Sequence, residues 1–253
     1  MEQQKPYVIG VDLGGTNTVF GIVDARGQIV AENSVKTQAY RTAHDFFDAC
    51  MVCLNPLIQQ VGGLDNIAGM GIGAPNANYY SGCIEMAANI CWAHCVNVPL
   101  AKMFSDALGG LPVRITNDAN AAAMGEMAYG AARGMKNFIV ITLGTGVGSG
   151  IVINGQVVYG HDGFAGELGH VTMVRGSQGR QCGCGRTGCL EAYCSATGVA
   201  RTAREILSTT DRPSLLRNKP AEQIESLDVS IAASKGDEVA NEIFQFTGKM
   251  LGE

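Results

Sequence analysis

Residues 7–37 read YVIGVDLGGTNTVFGIVDARGQIVAENSVKT, and residues 137–160 read NFIVITLGTGVGSGIVINGQVVYG. The first stretch has the character of three apolar strands, with tight turns at Gly14-Gly15 and Arg26-Gly27. The second repeats that grammar: apolar strand, glycine turn bearing a threonine, apolar strand, then a further turn and strand. Two such units in one chain predict an α/β protein of two related lobes facing a cleft. The boundary is expected after Asp118, giving an N-terminal lobe of residues 1–118 and a C-terminal lobe of residues 119–253.

Between the two units the pattern turns helical. In HDFFDACMVCLNPLIQQV (44–61), Phe46, Cys50, Leu54, Leu57 and Val61 fall at helical spacing and mark an amphipathic helix that Pro56 should kink. IAGMGIGAP (67–75) predicts a buried strand ending in a loop. A short helix around 100–108 leads to the strand PVRIT (112–116), and DANAAAMGEMAYGAA (118–132) predicts a helix. Helices follow from about Ala196. In the last stretch Val239, Ile243, Phe246 and Met250 keep helical spacing almost to Glu253 with no closing strand. The expectation is a second lobe left incomplete at its C-terminal end.

At 253 residues, 46% apolar and 16% charged, the chain can bury a large core. A net charge of −5 without any Lys/Arg run argues against a nucleic-acid partner, but not against an anion such as ATP, because backbone N–H groups bind phosphate without lysines. No apolar run reaches the roughly 18–20 residues that span a bilayer, so no membrane partner is expected. The amino terminus lacks a secretory pattern, and cytoplasmic location is the expectation. There the nine cysteines stay reduced, as core thiols or metal ligands.

No GxxxxGK[ST] occurs, which excludes a Walker-type nucleotide site. Gly144-Thr145-Gly146 and the glycines after it look like a dinucleotide fingerprint. That motif must open a helix, and here the pattern continues as strand. Both glycine turns are read instead as anion cradles for phosphate: Asp12, Gly14, Gly15, Thr16 and Asn17 in the first, Gly144, Thr145 and Gly146 in the second. Asp12, at a strand end, can hold a hydrated Mg²⁺. The alternative is ordinary hairpin chemistry, with glycines supplying positive φ.

The motifs DLGGT (12–16), GIGAPN (71–76), NDANAAAMGE (117–126), TLGTGVGSG (142–150), GELGH (166–170) and CGCGRTGCLE (182–191) occur in the order found in the ROK family, and the chain closely resembles that family. The resemblance implies a two-lobed actin-like, ribonuclease-H-like ATPase fold with an interlobe cleft. It also implies ATP-dependent phosphorylation of a hexose there, in a homo-oligomer (dimer or tetramer). It makes Asp118 the general base. A local alternative is that Asp118 is only a helix N-cap. Asn89, Asn117, Asp118, Glu167, His170 and Glu191 match the family's sugar-reading groups; Asn89 alone could equally cap a loop. Asn76 stands where the family commonly has glycine, and family members continue past the residue matching Glu253.

His170, Cys182, Cys184 and Cys189 form H-x11-C-x-C-x4-C, with Gly183, Gly185 and Gly188 allowing a tight wrap. Three thiolates and an imidazole suit one tetrahedral, closed and therefore structural Zn²⁺. Cys194 or His161 could replace one ligand, or the cysteines could be buried thiols. Cys50-x2-Cys53 lies on the apolar helix stripe and is expected to be core, while Cys91 and Cys95 have no assignment. The leading functional expectation is a glucokinase feeding glycolysis. Alternatives are a kinase for N-acetylmannosamine, N-acetylglucosamine, mannose, allose or fructose, or a non-catalytic sugar-binding relative. A family repressor needs a DNA-binding helix-turn-helix, and the first strand is already reached at Tyr7.

Overall fold

Alternation of apolar residues builds the first sheet. In strand β1 (Tyr7–Leu13), Ile9, Val11 and Leu13 are buried on one face, and in β2 (Asn17–Asp24) Thr18, Phe20 and Ile22 do the same. The structure, a computed structural model, describes residues 5–253. β1 pairs antiparallel with β2, and β2 with β3 (Ile29–Lys36). On its other side β1 runs parallel to β4 (Ile67–Gly73), which runs parallel to β8 (Val113–Thr116), so the order is β3-β2-β1-β4-β8.

Helix α1 (Ala43–Gln60) covers this sheet with Phe46, Cys50, Cys53, Leu54, Leu57 and Ile58. Each large side chain buried this way contributes about 1.5–3 kcal/mol. Thr42 caps α1 by accepting from the Asp45 N–H at 3.1 Å. The helix continues through Pro56, which has no N–H to donate to the Val52 carbonyl one turn earlier. Pro56 lies on the solvent side of the helix, next to the exposed Val52. Cys50 and Cys53 are core thiols, as their place on the stripe predicts. Helix α2 (Leu100–Ala107) and helix α3 (Asp118–Tyr129) flank β8 in the chain.

A small antiparallel sheet of β5 (Ala77–Asn78), β6 (Cys83–Glu85) and β7 (Asn97–Val98) follows β4. Strands of two or three residues carry no readable periodicity, and the sequence did not signal them. Asn76, just before β5, has φ +52, in the left-handed region. That geometry accounts for a glycine-prone position, and asparagine is the residue that best substitutes there.

The second glycine unit forms β9 (Phe138–Leu143), β10 (Val147–Ile153) and β11 (Gln156–Val157), in the order β11-β10-β9. The strand after Gly146 confirms that this glycine turn opens no helix. Helices α4 (Glu191–Cys194), α5 (Ala196–Thr209), α6 (Ser226–Ser234) and α7 (Glu238–Gly252) follow. Val199, Ala203, Val229, Val239 and Ile243 form the core among the last three. Backbone packing divides the chain into two compact units, Met1–Val140 with Gly150–Ala165, and Ile141–Ser149 with Gly166–Glu253. The units interleave along the chain, where the sequence suggested one boundary after Asp118. Among the described residues no helix is long and apolar enough to cross a membrane.

Candidate functional site

In the first unit the chemistry collects at the carboxyl ends of the parallel strands. Asp12 of β1 is in register with Gly73 of β4, and Gly73 with Thr116 of β8. The chain leaves β8 through Asn117 and enters α3 at Asp118. Open α/β sheets bind ligands at this edge. Asp12 feels Asp118: its carboxyl is raised above the ordinary aspartate value, first by partial burial and then by the Asp118 charge.

The N-cap of α3 is Asn117. The Ala119 N–H donates to Asn117 Oδ1 and Asp118 Oδ1, both at 2.8 Å. Asp118 is thus the first helical residue, and its side chain shares that one donor. Its Oδ2 accepts no hydrogen bond among the described residues, and the residue is exposed. Capping duty therefore does not consume the carboxylate, which keeps an oxygen open to a substrate proton.

The Gly14–Thr16 turn is held from one side by Thr37 and Gln38, which no motif singles out. The Thr37 N–H donates to Thr16 O at 2.9 Å, Thr37 Oγ1 to Gly14 O at 2.8 Å, and Gln38 Nε2 to Gly15 O at 2.9 Å. All three turn carbonyls face Thr37 and Gln38. Across a trans peptide the next residue's N–H points the opposite way, so the N–H groups of Gly15 and Thr16 turn outward together. Adjacent outward N–H groups are what an anion cradle requires. Asn17 Oδ1 accepts from Lys36 Nζ at 2.8 Å, which places a cation beside the turn.

Asn89 lies exposed on a loop whose neighbours Ala87, Ile90 and Trp92 are buried. Trp92 stacks on Phe46 with ring centroids 4.2 Å apart and donates from Nε1 to Thr37 O at 2.9 Å. Asn89 is therefore carried on a loop anchored in the core.

The second unit has its own constellation. Glu191 Oε2 accepts the Val147 N–H at 3.0 Å, and a Cβ on Gly146 would lie 2.4 Å from that oxygen. Glycine at 146 leaves room for the Glu191 carboxylate to seat against the Gly144–Gly146 turn, and a side chain there would push that carboxylate aside. The Gly144 N–H is used within the turn, toward Gly146 O at 3.0 Å, whereas the Thr145 and Gly146 N–H groups have no partner among the described residues. Glu167 precedes the single turn Leu168–His170, and its carbonyl accepts the His170 N–H at 3.1 Å. Ser149 Oγ bonds Gly166 O and receives the Leu168 N–H at 3.4 Å, which ties this segment to β10.

The four expected metal ligands come together. One donor atom each from His170, Cys182, Cys184 and Cys189 lies within 4.8 Å of the other three. Cys184 Sγ and Cys189 Sγ are 3.7 Å apart, and His170 Nδ1 is 3.8 Å from Cys182 Sγ. Zinc–sulfur bonds of about 2.3 Å in a tetrahedron set the sulfurs about 3.8 Å apart, so the donor set fits. Burial pushes the Cys182 thiol up to about 12. Cys184 lies below its ordinary value: burial acts upward, but hydrogen bonding from the Arg186 backbone and the neighbouring thiols outweighs it. Cys194 is buried against Thr247 O instead, and His161 and Cys194 stand outside the cluster.

Arg180 fastens the cysteine loop. It is 8% exposed, pairs with Glu205 at 2.6 Å, donates to Ala192 O at 3.1 Å, and lies 4.6 Å above the Tyr193 ring. Nothing in its sequence context distinguished it from a loop cation. Cys91 and Cys95 are exposed and belong to no metal-ligating cluster among the described residues.

The ROK family model matches residues 8–253. The chain belongs to the ROK family. It is 39% identical over 207 residues to a glucokinase of Halalkalibacterium halodurans, covering 79% of this chain and 59% of that protein. It is 31% identical over 247 residues to an N-acetylmannosamine kinase of Escherichia coli, covering 96% of this chain and 75% of that one. Among solved structures, a ROK family glucokinase from Streptomyces griseus in complex with glucose and AMPPNP superposes with a TM-score of 0.78 at 36% identity, covering 97% of this chain and 77% of that one. The chain thus spans under two thirds of the first relative and about three quarters of the others. Its mixed α/β fold is that of the ROK sugar kinases, the actin-like ATPase fold.

Proposed function

We propose that this protein is an ATP-dependent hexose kinase that phosphorylates glucose, with Asp118 as the general base. The observation that carries the reading is the arrangement at the sheet edge. Asp118 keeps an oxygen open beside Asp12, and the outward N–H groups of the Gly14–Thr16 turn lie on the strand–turn–strand unit that Asp12 belongs to. Phosphoryl transfer needs positioned phosphates, neutralised charge and one group to take the hydroxyl proton. Asp12 would hold the magnesium, which supplies charge neutralisation when it enters with ATP. Gly15, Thr16, Asn17, Thr145 and Gly146 cradle phosphate oxygens, and Asp118 removes the proton of the attacking hydroxyl.

Asn89, Asn117, Asp118, Glu167, His170 and Glu191 read the sugar's hydroxyls, since each hydroxyl left unpaired in a buried site costs affinity. The likeness to a structure holding glucose and AMPPNP supports glucose and ATP as substrates. The likeness to the Escherichia coli enzyme supports N-acetylmannosamine as the second reading. A coupled ADP-release assay over both sugars, mannose, allose, fructose and N-acetylglucosamine decides between them. The kinase reading predicts turnover highest with glucose; no stimulation by any sugar overturns it.

We further propose that His170, Cys182, Cys184 and Cys189 hold one structural zinc. Nδ1 of His170 lies on the thiol side, which supports its role as the metal-binding nitrogen, and Nε2 would then serve a substrate hydroxyl. The prediction is about one zinc per chain and local unfolding on chelation. Elemental analysis finding none in protein purified without chelator would sink it.

A further inference from the structure

Gln38 touches both halves of the first unit's site and belongs to neither. Its Nε2 donates to Gly15 O at 2.9 Å and to Asn89 O at 2.6 Å, and its Oε1 accepts the Cys91 N–H at 3.1 Å. One exposed amide thus bridges the glycine turn and the loop that carries Asn89, residues far apart in sequence. Thr37 runs in parallel with it, binding Gly14 O and Thr16 O on one side and Trp92 Nε1 on the other. Thr37 is buried and also meets Thr18 Oγ1 at 2.9 Å, so it belongs to the packing of the fold. Gln38 has no such duty.

We propose that Gln38 is a positioning residue that couples nucleotide binding at the Gly14–Thr16 turn to hexose binding at Asn89. The inference rests on the kinase reading of both segments. An anion accepted by the N–H groups of Gly15 and Thr16 polarises those peptides and strengthens their carbonyls as acceptors. Gly15 O then holds Gln38 more firmly, and Gln38 holds the Asn89 backbone in one place. The Asn89 loop cannot absorb the movement elsewhere, because Ile90 and Trp92 on its far side are fixed in the core. By linkage the effect is reciprocal: sugar on Asn89 favours the turn conformation that takes phosphate.

The test is calorimetric titration of glucose into the protein alone and into the protein saturated with magnesium and AMPPNP. The wild type should bind glucose at least about five-fold more tightly with the nucleotide present, the lower end of ordinary site–site coupling. Gln38→Glu is nearly isosteric and keeps the acceptor for the Cys91 N–H, but loses both donated bonds. That variant and Gln38→Ala should each bring the ratio to about one. A merely structural role would weaken both affinities and leave the ratio unchanged, which overturns the proposal. A wild-type ratio of one, with both ligands bound, overturns it too while leaving the kinase reading intact. Failure of the wild type to bind either ligand removes both.

Discussion

The three glycines of the cysteine loop look alike in sequence, and alanine at each should behave differently. Gly188 has φ +80, and a Cβ there would lie 1.8 Å from the Val174 carbonyl oxygen, a backbone atom that cannot rotate away. Left-handed geometry costs alanine about 1–2 kcal/mol. Moving the backbone also breaks the bonds from the Met173 and Val174 N–H groups to Gly188 O and from the Gly188 N–H to Arg180 O. At roughly 0.5–1.5 kcal/mol each, these bring the total to about 3–6 kcal/mol. Gly185 has φ +85 but open space around it, so Gly185→Ala should cost only the conformational term, about 1–2 kcal/mol. Gly183 has neither strain nor a neighbour within 4 Å, and Gly183→Ala should be neutral or stabilising by up to about 1 kcal/mol. Thermal unfolding followed by circular dichroism, with zinc content measured on the same samples, reads the series. Gly188→Ala should melt on the order of 10 °C lower and lose metal. Melting like Gly183→Ala would refute the close contact of Gly188 with the Val174 carbonyl.

Two further outcomes follow from the glycine turns and their carboxylates. Asp12 has a raised pKa in the folded protein, so the folded state is favoured while Asp12 is protonated and loses that advantage as pH rises through its folded pKa. Asp12→Asn should therefore stabilise the protein at pH 7 by less than about 1 kcal/mol, since the group is largely solvated. The difference should vanish below the ordinary aspartate range, and Mg·ATP-dependent turnover should be lost; denaturant melts at several pH values check the sign. Gly146→Ala drives a methyl into Glu191 and removes the bond from the Val147 N–H, a charge-assisted contact worth about 1.5–3 kcal/mol. Steady-state kinetics should show the KM for sugar raised along with that for ATP, because Glu191 serves both segments.

What the sequence disclosed and what it concealed have physical reasons. Strands β1, β2, β4 and β10 and helices α1 and α7 were legible because their apolar residues repeat at two or 3.6 over many positions. The cysteine cluster was legible because thiols spaced by glycines within one short loop seldom have another use. The sheet β5-β6-β7 was not, since its strands are too short to show a period. Gln38, Thr37, Ser149 and Arg180 were invisible for a different reason. Each acts through carbonyls, rings or carboxylates that lie from about a dozen to about fifty residues away, beyond the reach of any local pattern. Asn76 was noticed only as a departure from glycine, and its φ of +52 turns that oddity into a left-handed position that asparagine tolerates.

The central claim is that the open oxygen of Asp118 takes a proton from a sugar hydroxyl. Asp118→Asn keeps the side chain's shape and its Oδ1 bond to the Ala119 N–H, and removes the base. With glucose and Mg·ATP, kcat should fall by roughly 10²–10⁴-fold while the glucose Kd stays within a few-fold of wild type. Near-normal kcat in Asp118→Asn would contradict the assignment.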